Sequence, residues 1–196
     1  MAGKLTIGVL AQQGAFAEHI RILTKLGAKS VAVRQKPELT GLDGLIIPGG
    51  ESTSISKLLF DYGLSHEIKT MSDGGLPVLG TCAGLILMAK EVPGNKVKPL
   101  GIMDILVKRN AFGRQIDSFE ALLDIPVLGP KPFPGVFIRA PRIENVTSPA
   151  EVLAALPDGQ SVMVRQGKNL VASFHPELTK DTRFHRYFLD IINGLA

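Results

Sequence analysis

The chain has 196 residues, 22 Lys+Arg against 18 Asp+Glu, 45% hydrophobic residues and one cysteine, Cys82. That apolar content excludes a disordered chain, and a lone cysteine excludes a disulfide scaffold, so the expected setting is reducing and cytoplasmic. The length fits a single domain over 1–196.

No apolar run reaches the about 18 residues that a membrane span needs. Lys4, Leu5–Ala11 and Ala15-Phe16-Ala17 loosely mimic a signal peptide. Thr6 and Gly8 interrupt the stretch and Gln12-Gln13-Gly14 follows, so it reads as a buried first strand. The pI near 9.3 invites a nucleic-acid reading. The basic residues are scattered, however, and the small group Lys90, Lys96 and Lys98 lies in a loop without interleaved aromatics, so no nucleic-acid partner is expected.

In chain order, Leu5–Leu10 is a strand candidate, and Phe16, Ile20 and Leu23 mark one face of a helix that Gly27 ends. Ser30–Val33 and Gly44–Ile47 follow as strands. Ser52-Thr53-Ser54 forms a ready cap for a helix carrying Ile55, Leu58, Leu59 and Tyr62. Pro77–Leu79 is a fourth short strand and Ala83–Lys90 reads as helix. Apolar strands with intervening helices imply a parallel sheet covered on both faces. The second half changes character, with β-type runs at Ile105–Lys108, Phe119–Leu123, Val136–Ile138, Ser161–Arg165 and Leu170–Phe174. These suggest strands added at the sheet edge or a small antiparallel layer. Asp181 is placed to cap a last helix with Phe184, Tyr187, Phe188 and Ile191 inward. The expected fold is three-layered α/β, mostly parallel, flavodoxin-like.

Gly80-Thr81-Cys82-Ala83-Gly84 joins the fourth strand to a helix in the pattern of a nucleophile elbow, with cysteine at its centre. Such a turn strains the central residue and exposes its side chain, the flanking glycines let neighbouring chain approach, and the helix N-terminus favours the thiolate. Taken alone, the segment also fits a small buried thiol. Gly49-Gly50-Glu51-Ser52 follows the third strand, so it shares the carboxyl edge of the sheet with Cys82. Backbone N–H groups there and at Ala83 could hold an oxyanion, although a Gly-Gly turn by itself is only a turn. In Ser173-Phe174-His175-Pro176-Glu177, an extended backbone would put His175 and Glu177 on one face, where a carboxylate orients an imidazole base. His19, His66 and His185 have no metal-ligand spacing and read as surface or packing residues. A nucleophile, an oxyanion hole and an oriented base describe acyl transfer through a thioester.

These segments resemble the class I, or triad, glutamine amidotransferases. The wording of Pro48–Ser54, Gly80–Leu85, Arg109–Glu120, Phe137–Pro141 and Ser173–Leu178 is similar to the glutaminase subunits of pyridoxal 5′-phosphate synthase. The resemblance implies that Cys82 attacks the carboxamide of L-glutamine, that His175 protonates the departing ammonia, and that Glu177 orients His175. It assigns the oxyanion hole to Gly50 and Ala83, and glutamine binding to Glu51, Ser52, Arg109, Ile138 and Arg139. An Arg suits the α-carboxylate because it offers a planar two-donor fork. Taken from the residues alone, Arg109 and Arg139 are also compatible with ion-paired surface residues. Gln13 matches a position near the oxyanion hole and the partner interface, while Gln12 stands where the pattern carries an apolar residue.

The implied partner is a (β/α)₈-barrel synthase subunit in a large hetero-oligomer that consumes the ammonia. No cofactor or metal is implied, since pyridoxal phosphate would be the product of the complex. Two other readings stay open: a glutaminase subunit of another pathway, and a flavodoxin-like cysteine hydrolase or stress protein. A catalytically silent subunit, with an ordinary thiol at Cys82, is a third.

Overall fold

The computed structural model describes residues 4–94, 96–109 and 118–196. Its elements are β1 (Thr6–Leu10), α1 (Phe16–Lys25), β2 (Lys29–Val33), β3 (Gly44–Ile47), α2 (Ser52–Asp61), α3 (Leu64–Asp73), β4 (Val78–Thr81) and α4 (Ala83–Met88). There follow β5 (Ala89–Glu91), β6 (Met103–Lys108), β7 (Ser118–Leu123), β8 (Phe133–Ile138), β9 (Arg142–Val146), β10 (Glu151–Ala155), β11 (Ser161–Gln166), β12 (Asn169–Ala172) and α5 (Arg183–Ile192).

The main sheet has seven strands in the order β10-β11-β12-β4-β3-β1-β2. The five strands from β12 to β2 are parallel, and β10 and β11 add to one edge antiparallel. Central β3 and β4 are buried along their whole length, as a sheet covered on both faces requires. One core layer packs Ile55, Leu59 and Ile68 with the α4 side chains, and the other packs Leu23 with Phe184, Phe188 and Ile191 of α5. Each such side chain, fully buried, contributes about 1.5–3 kcal/mol. Two small sheets, β5-β6-β9 and β7-β8, lie outside the main one. The second half thus supplies both edge strands and an antiparallel pair, β7-β8, while β5-β6-β9 is mixed because β5 runs parallel to β6.

Some local expectations are corrected. Glu51, not the Ser-Thr-Ser run, caps α2: its carboxylate accepts from the Thr53 N–H at 3.0 Å and the Ser54 N–H at 2.7 Å. Ser52 is already the first helical residue and is buried. Thr182 occupies the cap position of α5, with Asp181 one residue earlier accepting the Arg183 N–H at 3.0 Å. The helix read over Ala83–Lys90 stops at Met88, where the chain turns into β5. Residues 110–117, which carry most of the Arg109–Glu120 segment, lie outside the described residues.

Candidate active site

β4 delivers Cys82 to the carboxyl edge of the sheet, where its N–H bonds the Ala172 carbonyl at 2.8 Å. Cys82 takes φ 49 and ψ −101, a conformation that costs a side-chain-bearing residue on the order of 1–3 kcal/mol. The elbow is therefore real, and its glycines do what the spacing requires. A Cβ at Gly84 would lie 1.9 Å from the Ile47 carbonyl oxygen, and one at Gly80 would lie 2.7 Å from the Gly84 carbonyl carbon. The sulfur is not exposed as the sequence suggests: Cys82 is 8% accessible, and its Sγ lies 3.9 Å from the Ile138 carbonyl oxygen.

His175 begins a single 3-10 turn over Pro176–Leu178, not an extended run. Pro176 suits the first position of that turn because its φ is already set. The turn still brings the pair together, with His175 Nδ1 donating to Glu177 Oε1 at 2.6 Å. Phe174 anchors the segment among Phe133, Phe137 and Phe184, and the His175 N–H bonds the Val136 carbonyl at 2.8 Å. Burial opposes a charge on His175, but hydrogen bonds to Cys82 and Glu177 outweigh it and push its pKa up to about 10. The site thus favours the proton on the imidazole, with Nδ1 committed to Glu177 and Nε2 left for Cys82.

Cys82 and His175 face a cavity of about 410 Å³. Gln13, Gly50, Glu51, Ser52, Ala83, Arg109, Ile138 and Arg139 line the same cavity, so the sequence-derived set converges on one place. Glu177 is the exception: it lies buried behind His175. Ile86, one turn into α4, also lines the cavity; its place on a buried apolar helix concealed this from sequence. Arg109 lies 3.5 Å from Glu51 Oε1, and Arg139 has φ 42, a left-handed conformation unusual for a side-chain-bearing residue. Glu51 is exposed yet its carboxyl is pushed down to about 2: desolvation opposes this, and hydrogen bonds from Ser54 and Thr53 prevail. Gln12 Nε2 reaches the Arg34 carbonyl at 3.4 Å, turning away from the cavity that Gln13 enters.

The other histidines divide. His66 is exposed, as expected. His19 and His185 are fully buried and lie behind the site, 2.9 Å apart through Nδ1 and Nε2. His19 Nε2 also lies 3.4 Å from Glu177 Oε2 and 3.3 Å from Thr81 Oγ1. Among the described residues no group of His, Cys, Asp and Glu is arranged to hold a metal ion. No helix there is long and apolar enough to cross a membrane.

An elbow cysteine with a His-Glu pair at the carboxyl edge of a parallel sheet fits the arrangement of a triad amidotransferase-type site. The chain belongs to the SNO glutamine amidotransferase family, matching it over residues 9–193. It is 55% identical over 188 residues to the "Pyridoxal 5′-phosphate synthase subunit PdxT" of Moorella thermoacetica, covering 96% of this chain and 100% of that one. A protein of the same name from Dehalococcoides mccartyi is 57% identical over 189 residues, covering 95% and 97%. A solved structure described as a glutamine amidotransferase superposes with a TM-score of 0.90 at 50% identity, covering 95% of this chain and 98% of that one. A putative GMP synthase subunit from Thermoplasma acidophilum shares the fold alone, with a TM-score of 0.73 at 20% identity over 99% and 96%.

Proposed function

We propose that the whole chain acts as one glutaminase domain, hydrolysing L-glutamine and passing the ammonia to a synthase subunit that makes pyridoxal 5′-phosphate. The observation that carries the chemistry is that His175, held at 2.6 Å by Glu177 behind it, faces one cavity together with a strained Cys82. With the proton on His175, Cys82 acts as thiolate and attacks the carboxamide carbon, forming a C–S bond. The N–H groups of Gly50 and Ala83 hold the oxyanion; losing one such donor typically costs about 10²–10³ in rate. His175 gives its proton to the nitrogen, the C–N bond breaks, and ammonia leaves a thioester. Water then attacks the thioester, His175 takes up its proton, and glutamate departs with the thiolate restored. Glu177 keeps the imidazole in the tautomer and orientation that both steps use.

Arg109 and Arg139, both lining the cavity, offer the charge for the α-carboxylate of glutamine. Glu51, Ser52 and Ile138 complete the substrate wall, and Gln13 supports the oxyanion turn on the side that meets the partner. The partner is a barrel-type synthase in a hetero-oligomer, in the cytoplasm, where a reduced thiol persists. Labelling with an electrophilic glutamine analogue tests the site: one adduct on Cys82, blocked by excess glutamine, is expected. Labelling that glutamine does not block would overturn the substrate assignment.

A further inference from the structure

Behind the triad, Glu177 meets a second imidazole. His19 on α1 and His185 on α5 are wholly buried, and neither touches the cavity. The proton positions follow from chemistry. A bare Nε2 lone pair 3.4 Å from Glu177 Oε2 would repel the carboxylate, so His19 Nε2 carries hydrogen, and its hydrogen bond goes to Thr81 Oγ1 at 3.3 Å. Glu177 Oε2 makes no hydrogen bond among the described residues, so the His19 Nε2–H, 3.4 Å away, faces an otherwise unmatched carboxylate oxygen. In a neutral ring Nδ1 is then the acceptor, and His185 Nε2 at 2.9 Å must be its donor. His185 Nδ1 is left as a bare lone pair, in accord with its lack of a partner. Burial, together with the charges of His185 and His175, holds the His19 pKa well below its ordinary value, so His19 is neutral.

We infer that His19 is a positioning residue, with His185 setting its tautomer: its N–H faces, at 3.4 Å, the oxygen of Glu177 that His175 does not use, and the attraction holds the carboxylate in register with the imidazole. The inference rests on the triad proposed above. Thr81 links this lock to the oxyanion turn, because its Oγ1 also accepts the Gly49 N–H at 3.2 Å. The titratable groups facing Glu177 are thus His175 from its own turn, His19 from α1 and, one step behind, His185 from α5. A carboxylate free to rotate would leave the imidazolium without a fixed partner and weaken the thiolate pair.

The test compares His19→Leu, which removes the donor, with His19→Gln, whose amide restores an N–H near the Nε2 position. Glutamine turnover is measured in the full chain with the synthase present, and Cys82 alkylation by iodoacetamide is followed against pH. His19→Leu is expected to lose about ten- to a hundredfold in kcat, the scale of leaving a buried charged group unmatched, with KM little changed. Its alkylation profile moves to higher pH, and His19→Gln recovers both. Equal behaviour of the two variants, or a loss confined to thermal stability, would overturn the positioning role while leaving the triad intact. A wild-type chain whose Cys82 is no more reactive than a free thiol would remove the triad and this role with it. Should either variant fail to fold, nitrogen-15 shifts of the wild-type histidines decide: neutral Nε2–H tautomers at His19 and His185 are expected, and Nδ1–H at His19 overturns the inference.

Discussion

A side chain at Gly49 would place its Cβ 2.4 Å from His175 Cε1, and 3.3 Å from the Cβ of Cys82. Gly49 is not among the residues with positive φ, so its backbone suits any residue. What demands glycine is the closeness of the imidazole, which Glu177 prevents from swinging away. Gly49→Ala is therefore expected to fold, to displace the ring, and to lose about a hundredfold in kcat, the scale of a misplacement near 1 Å. Circular dichroism with a glutaminase assay checks this; full activity would show that the ring has room the structure does not give it.

Strain at Cys82 makes a prediction of the opposite sign for stability. Cys82→Ala and Cys82→Gly both remove the nucleophile, but only glycine accepts φ 49 freely. Relief of about 1–3 kcal/mol of strain is partly offset by about 0.4–1 kcal/mol of added unfolded-state entropy. The glycine variant should melt above the alanine variant by about 2–4 °C, the shift that about 1 kcal/mol gives a chain of this size. Equal melting temperatures would deny the strain.

Glu51 links the entrance of the site to acid stability. Its carboxyl is pushed down to about 2 in the fold, so its contribution is present above its ordinary value of 4.5 and is lost as pH falls from there through about 2. Glu51→Gln should lower stability at neutral pH and flatten its fall between those limits. Denaturant titrations at pH 7 and pH 3 measure this, and a larger loss at pH 3 than at pH 7 would contradict it.

His175 carries the reverse sign. Raised to about 10, its pKa gives a stabilisation that is complete below the ordinary value of 6.5 and lost as pH rises through about 10. Following its ring proton by NMR should show a titration far above 6.5 in the wild type and a lower one in Glu177→Gln, which lacks the counter-charge. A ring that titrates near 6.5 in both would contradict the thiolate–imidazolium pair.

The site was legible in sequence because its parts are local: an elbow, a glycine turn and a His-x-Glu pair each occupy a few residues, and the parallel sheet gathers strand ends at one edge. The pair meets in a way the alternation of an extended strand does not describe, since a 3-10 turn unites His175 and Glu177. What sequence hid is long-range. His19 is in helical phase with Ile22 and Leu23, and His185 with Phe188 and Leu189, which marks both as inward, yet their partners come from Glu177 and from each other across 166 residues. β9, with Arg142 and Glu144 along its outer side, looks like a polar loop until β6 pairs with it. β10 joins the sheet edge through an irregular register that carries no alternating pattern. α3, with only Leu64 and Ile68 buried, has too thin an apolar stripe to stand out.

The most direct test of the central claim is glutamate release from L-glutamine by the purified chain, alone and with the proposed barrel-type synthase subunit, with Cys82→Ala as the control. Turnover that rises when the synthase is added and vanishes in Cys82→Ala is predicted. Turnover that survives the loss of Cys82, or none with the synthase present, would contradict the account.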